Sequence, residues 1–405
     1  MWKTERPVRK GNYLHGSFIK LPEVDGYIQS VNPGDSRDVL GNFPYSTGGV
    51  DQAVESAASA LPRWHRMPIG NRRVLLERYA DALLSLREAL VALIVREVGK
   101  PYWEAESEVE ATVNRVELVI QEGLPLVETY RLPEKDSVSE YHPWGVSAVL
   151  SPFNLPLLAP NVHIIPSLIM GNTVVYKPSR YTPGVGQLIA EAADRAKFPR
   201  GVFNMVQGRG KDVGERLATH PDVSAIYLDG TTSTVKKVRR SILDLPWKHQ
   251  VMNGCSRSCA IVLDDAELDK AVYEVAVGAF MTTGQRRNST ARVVVTSGIA
   301  DRFIQRLVAV TNNLRIGYGF ERDIFLGPLY TKRARRNFLE FLQQSVNVGM
   351  DLLTPSYPVE YERPGYYVHP AILYGAREHL LRDTTSEDIL GPILEVYVEI
   401  GRAHV

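Results

Sequence analysis

The sequence predicts an α/β protein made of two doubly wound parallel-sheet domains. Three observations carry that prediction. The chain has 405 residues, room for two or three domains at roughly 150 residues each. From Trp144 onward, short apolar runs alternate with helical stretches, and a second such series starts at Ala260. Strand–helix–strand units of this length connect parallel strands and place helices on both faces of the sheet.

Before that alternation the pattern is helical. Ala53, Val54, Ala57, Ala58 and Leu61 recur at three- and four-residue spacing and form one apolar face. Pro68 opens a longer helical region that carries Val74, Leu75, Tyr79, Leu83, Leu84, Leu90 and Leu93. Gly99-Lys100-Pro101 closes it, with glycine as C-cap and proline barring continuation. A third helix is expected over 102–124, with Glu104, Glu106, Glu108 and Glu110 on wet positions. Charged, proline-containing sequence at 132–136 then leads to a strand at 138–141. In the alternating region strands are expected at 146–150, 173–176, 202–206 and 225–228. The intervening helices are 155–170, 184–196, 212–219 and one from about Ser233. The second series has strands at 260–263, 292–296 and 393–398, with helices at 268–281, 300–314 and 332–349.

Composition excludes several function classes. Lys plus Arg total 47 and Asp plus Glu 46, a net charge of +1, so neither nucleic acid nor an anionic membrane is attracted at long range. Two cysteines, Cys255 and Cys259, cannot staple a secreted scaffold. The apolar stretch 146–176 is interrupted by Pro152, Pro156, Pro160 and Pro166, which suits a buried segment better than a bilayer span. No apolar leader follows Met1, so a soluble, cytoplasmic protein is expected.

Three motifs point to a phosphate-bearing ligand. Tyr176-Lys177-Pro178-Ser179 ends a strand, where open α/β sheets bind ligands. Gly208-x-Gly210-x-x-x-Gly214 is a glycine turn before a helix, and Asp229-Gly230-Thr231-Thr232 follows another strand. Free N–H groups at the helix start after Gly230 and Thr231 would suit a pyrophosphate. Each motif alone reads as an ordinary turn or cap; their order in one doubly wound unit is what points to a dinucleotide.

The chain resembles the aldehyde dehydrogenase superfamily, its succinylglutamate-semialdehyde branch in particular. The stretch Ser151-Pro-Phe-Asn154 through Gly171-Asn to Lys177-Pro-Ser179 carries most of the likeness. Arg96-Glu-Val-Gly-Lys-Pro101, His220-Pro-Asp-Val, Thr283-Gly-Gln-Arg286 and Gly391-Pro392 support it. The resemblance implies a nicotinamide dinucleotide-binding domain (1–136 and 148–252), an oligomerisation ribbon strand (137–147) and a catalytic domain (253–399). It implies a homo-oligomer and a small aldehyde or semialdehyde substrate. Carried over by position, Lys177 and Ser179 would meet the adenosine ribose, and Gly210, Gly230 and Thr231 would run along the phosphates. Pro152 and Phe153 would lie beside the cofactor, Asn154 would donate to the oxyanion, and Asp388 would hold the nicotinamide ribose. Arg180 stands where many NAD-preferring members place a glutamate; it cannot accept from ribose hydroxyls but can pair with a 2′-phosphate. NAD or NADP is expected, with NADP favoured.

The catalytic half departs from the family. The cysteine nucleophile that follows Gly-Gln-x is Arg287 here, and the glutamate base is Asn253. Arginine stays protonated and asparagine does not titrate near neutrality, so neither can take the family role. Loss of the nucleophile in a covalent-catalysis unit costs about 10⁶ in rate, roughly 8 kcal/mol. Three readings follow: a family pseudoenzyme, an active semialdehyde dehydrogenase with misread codons, or altered chemistry that uses Cys255 or the cofactor alone. Cys255 otherwise reads as a small space-filling residue, and the Cys255/Cys259 pair lacks the ligands of a metal site. His142, His163 and His220 read as structural, and Ser289 has no neighbouring base in sequence. The family continues past Gly391-Pro392 with further strands, and residues 400–405 match a reading frame of a sequencing adapter. A truncated C-terminus with a non-native tail is therefore expected.

Overall fold

The computed structural model describes residues 10–132, 136–254, 258–355, 357–375 and 389–399. The chain opens with β1 (Tyr13–Leu14), β2 (Ser17–Phe18) and a hairpin of β3 (Gly26–Val31) and β4 (Val39–Tyr45). Four helices follow: α1 (Gly49–Arg66), α2 (Ile69–Ser85), α3 (Arg87–Val98) and α4 (Tyr102–Leu118). The small strands β5 (Tyr130–Leu132) and β6 (Ser137–Ser139) pair antiparallel as an exposed ribbon. Then come β7 (Val146–Leu150), α5 (Leu158–Ile169), β8 (Thr173–Lys177), α6 (Pro183–Ala196) and β9 (Phe203–Met205). The first half ends with α7 (Glu215–Thr219), β10 (Val223–Asp229), α8 (Thr232–Ser241) and β11 (His249–Asn253).

Among the described residues these strands form a seven-stranded sheet in the order β11-β10-β7-β8-β9-β1-β2. β7 through β11 run parallel, while β1 joins β9 antiparallel and turns into β2. The sheet is thus the expected doubly wound parallel sheet, with an antiparallel pair added at one edge. β7 and β8 are buried along their whole length, as unbroken apolar strands covered on both faces must be. Residues of α2 to α6 cover one face, and residues of α1, α7, α8 and the β3–β4 hairpin cover the other.

The second half contains β12 (Ser258–Val262), α9 (Leu268–Phe280), β13 (Thr290–Thr296), α10 (Ser297–Asn312) and α11 (Lys332–Asn347). It closes with β14 (Asp351–Leu352), β15 (Ala371–Tyr374) and β16 (Ile393–Glu399). The sheet order is β12-β13-β16-β15-β14, parallel except for β14. The change of sheet falls between Asn253 and Ser258. Among the described residues no helix is long and apolar enough to cross a membrane.

Three expectations need correction. The helical region after Pro68 is two helices, because the backbone leaves helical geometry at Leu86 (φ −101°, ψ 6°). The helix from Tyr102 ends at Leu118 and continues as a wider π-type turn over Val119–Gly123. Glu104 and Glu108 are buried, not wet. Lys100 Nζ, equally buried, sits 3.5 Å from Glu104 and 2.7 Å from Glu108, and such pairing is what permits a carboxylate in a core. The strands β1 to β4, β11 and β15 had no clear pattern of their own, being short, polar or interrupted by glycine and proline.

Candidate active site

The register of the first sheet gathers the predicted motifs. Leu150 lies opposite both Leu228 and Lys177, and Asp229 opposite Asn253. The loops that leave β7, β8 and β10 therefore emerge side by side at their carboxyl ends, next to Asn253 at the end of β11, where an open sheet binds ligands. They line a cavity of about 940 Å³ together with Gln285, Arg287, Tyr330 and Arg333 from the second half.

Lys177 is buried, and its Nζ donates to the carbonyls of Pro178 (2.7 Å) and Gly208 (3.3 Å). Burial, with Arg180 nearby, pushes its ammonium down to about 8. Ser179 Oγ accepts from the Tyr181 N–H. Arg180 lies over the Tyr181 ring, 4.7 Å from its centre, and donates to its hydroxyl at 2.5 Å. Phe153 stacks on Tyr330 at 4.0 Å, and Pro152 lines the same wall. Around Gly210 the expected helix from 212 is a π-type turn over Gly210–Gly214 before α7. The N–H groups of Asp212, Val213 and Gly214 all converge on the Arg209 carbonyl, which widens the turn. The free donors expected after β10 are partly committed: Gly230 N–H bonds Asn253 O, and Thr231 Oγ1 accepts from Thr234 N–H as the N-cap of α8.

A strained loop of the second half reaches the cavity through Gln285 and Arg287. Thr282, Thr283 and Gly284 are consecutive left-handed residues (φ 56°, 55° and 65°). Such backbone costs on the order of 1–3 kcal/mol at each non-glycine and persists only when its surroundings hold it. Glu104 does so, accepting from Thr282 N–H (3.0 Å), the Thr282 hydroxyl and Arg286 Nη2 (3.0 Å). Burial alone would raise the Glu104 carboxyl, but Lys100, Arg286 and the Thr282 bond outweigh it and hold it below the usual range. On the cavity side Asn154 Nδ2 donates to Gln285 O at 2.7 Å. The amide expected to serve an oxyanion here clamps the loop with one of its two N–H groups.

Arg287 reaches from this loop to β10, where Nη1 donates to Asp229 Oδ1 at 3.1 Å. The other carboxylate oxygen of Asp229 lies 3.1 Å from His163 Nε2, and the Asn253 side chain also bonds Asp229. Burial would raise the Asp229 carboxyl; His163, Asn253 and Arg287 together hold it below the ordinary aspartate range. His163, read from sequence as structural, thus lines the cavity. His142 sits at the surface near Glu140, and His220 Nδ1 accepts from Asp222 N–H. Ser289 Oγ is buried with no hydrogen-bond partner among the described residues. Cys255 and Asp388 lie outside the described residues. Cys259 is exposed, and no metal-binding cluster occurs among the described residues.

The aldehyde dehydrogenase family profile matches residues 21–398. The chain belongs to the aldehyde dehydrogenase family. It is 32% identical over 390 residues to the alpha-ketoglutaric semialdehyde dehydrogenase of Bacillus subtilis (strain 168), covering 95% of this chain and 79% of that one. It is also 32% identical to the N-succinylglutamate 5-semialdehyde dehydrogenase of Erwinia tasmaniensis, over 87% of this chain and 71% of the relative. Among solved structures, PnpE of Pseudomonas sp. WBC-3 in complex with nicotinamide adenine dinucleotide superposes with a TM-score of 0.88 at 26% identity. That match covers 97% of this chain and 81% of PnpE.

Within this family member, sequence reasoning missed the Asp229–His163–Arg287 network and the contributions of Tyr330 and Arg333. Asp229 and His163 are 66 positions apart, and no local periodicity links them. A polar residue at the end of a buried strand was the available signal, and it was read only as part of a glycine turn.

Proposed function

We propose that this aldehyde dehydrogenase family member binds a nicotinamide dinucleotide but does not oxidise aldehydes through the family's thiol mechanism. The observation that carries the reading is the Arg287–Asp229 pair, with Asn253 bonded to the same carboxylate. The residues at the nucleophile and base positions are engaged with each other's neighbourhood through one buried acid. An arginine produced by a misread codon would have no reason to meet a matched, mostly buried partner, so the pair favours a genuine catalytic change.

The donor set suits the cofactor. Lys177, Arg180, Arg209, Lys211 and Lys237 are among the residues that line the cavity, with Glu215 and Asp229 as its acids, a balance that fits phosphate groups. Lys177 and Ser179 would hold the adenosine ribose, with Gly210, Gly230 and Thr231 along the pyrophosphate and Asp388 at the nicotinamide ribose. The bound cofactor would supply a hydride acceptor. Arg180 favours NADP, since its guanidinium can swing from Tyr181 to a 2′-phosphate. The semialdehyde substrates named for the relatives suggest a small carboxylated aldehyde as ligand. The β5–β6 ribbon, which exposes Tyr130, Leu132 and Val138, is the proposed oligomer strand.

Calorimetric titration with NAD and NADP, beside an assay of short aldehydes and semialdehydes, tests this. Binding without acid formation is expected. Aldehyde oxidation at ordinary family rates would overturn it.

A further inference from the structure

We propose that the cavity supports thiol-independent hydride exchange between a small alcohol and its carbonyl, with His163 as proton acceptor and Asp229 as its positioning residue. This rests on the cofactor reading above. The geometry is that of an acid–base dyad. His163 Nε2 and Asp229 Oδ2 are 3.1 Å apart, and each side chain is about nine-tenths buried (11% and 12% exposed). The imidazole is stacked on Tyr227, with ring centres 5.0 Å apart and planes at 24°, so its orientation is fixed from two directions. Asp229 is fixed in turn by Arg287 on its other oxygen. Dyad and Arg287 line the same cavity as Lys177 and Ser179.

An Nε2–H given to a carboxylate leaves Nδ1 as a proton acceptor, and the carboxylate stabilises the imidazolium that forms. The half-exposed guanidinium of Arg287 (42%) can donate to the alcohol oxygen as negative charge develops on it. The step balances as a two-electron oxidation. The alcohol C–H electron pair leaves with its hydrogen as hydride to an oxidised nicotinamide dinucleotide. The O–H proton passes to His163, and the C=O double bond forms from the O–H electrons. The proton then leaves to water, and the reverse sequence reduces the carbonyl. No cysteine takes part, and Asn253 is needed only to hold Asp229. Among the described residues Asp229 and Tyr227, both from β10, contact the His163 ring, and Arg287 from the loop before β13 bonds the far oxygen of Asp229.

The test uses the full chain with NAD and NADP and a panel of short primary alcohols and hydroxy acids. Three readouts are taken: cofactor affinity by calorimetry, reduced cofactor by absorbance, and the His163 ring resonances by NMR. The proposal expects turnover that rises with pH through one ionisation, and a His163 resonance shift when oxidised cofactor is added. His163→Gln should lose about 10²–10⁴ in rate while keeping cofactor affinity and melting temperature, and added imidazole should restore part of the rate to His163→Gly. Asp229→Asn should lower the rate and displace the pH profile. Cofactor binding with no alcohol turnover, or with a rate that His163→Gln leaves intact, overturns the proposal and leaves the cofactor reading standing. Absence of binding with an unmoved His163 resonance overturns both.

Discussion

Glu104 and Arg286 meet at 3.0 Å, from Oε1 to Nη2, although the helix that carries one and the loop that carries the other are 182 positions apart. The carboxylate is 1% exposed and the guanidinium 25%, so the contact ties the helical layer of the first half to the strained loop of the second.

Removal of this carboxylate should be costly. Glu104→Ala strips the loop of its anchor and leaves the Arg286 charge half-buried, at an expected cost of about 3–5 kcal/mol. A shift of the urea midpoint measures it. Because the Glu104 carboxyl titrates below its usual 4.5 in the folded state, its contribution is present above that value and fades as pH falls through the depressed one. Wild type should therefore lose stability on acidification more steeply than Glu104→Gln.

The loop geometry makes its own prediction. A Cβ on Gly284 would lie 2.1 Å from the Gly391 carbonyl oxygen, and φ there is +65°. Gly284→Ala should destabilise by on the order of 1–3 kcal/mol and weaken cofactor-dependent protection of the cavity from proteolysis. A melting temperature equal to wild type would show that the loop is softer than its contacts indicate.

Lys177 is a pH-sensitive donor. Its ammonium, pushed down to about 8, is charged below that pH and neutral above it, so dinucleotide affinity should fall as pH rises through 8. Lys177→Met should flatten the profile and weaken binding at neutral pH. Affinity that is constant between pH 7 and 9, on the order of one unit to either side of that value, would remove Lys177 from the cofactor site.

Restoration of the family pair should create activity. Arg287→Cys with Asn253→Glu returns a nucleophile and a base to their positions, and aldehyde oxidation should rise at least about 10³-fold over the parent. Either substitution alone should give far less, since the two act as a unit.

Among the described residues β12 is the last strand of the second sheet and exposes Ile261 (70%), a template for edge-to-edge pairing. Ile261→Lys should leave stability within about 0.5 kcal/mol and reduce concentration-dependent light scattering.

Sequence by itself determined most of the parallel strands. β7, β8, β10, β13 and β16 are short, mainly apolar runs bounded by glycine, proline or polar turns, a local pattern that defines such a strand, whereas β11 and β15 lack one. It also placed Lys177, Gly210, Gly230 and Asn154 at strand ends, and those loops do converge. Tertiary structure alone decided what each group does there. The committed donors of Gly230 and Asn154, the bonds that Glu104 accepts from Arg286 and Glu108 from Leu157 N–H, and the meeting of His163, Asp229 and Arg287 all involve partners 23 to 182 positions away. The identity of a charged residue cannot reveal whether it is solvated. That depends on whether another part of the chain arrives with the opposite charge, and only the packed fold brings it there.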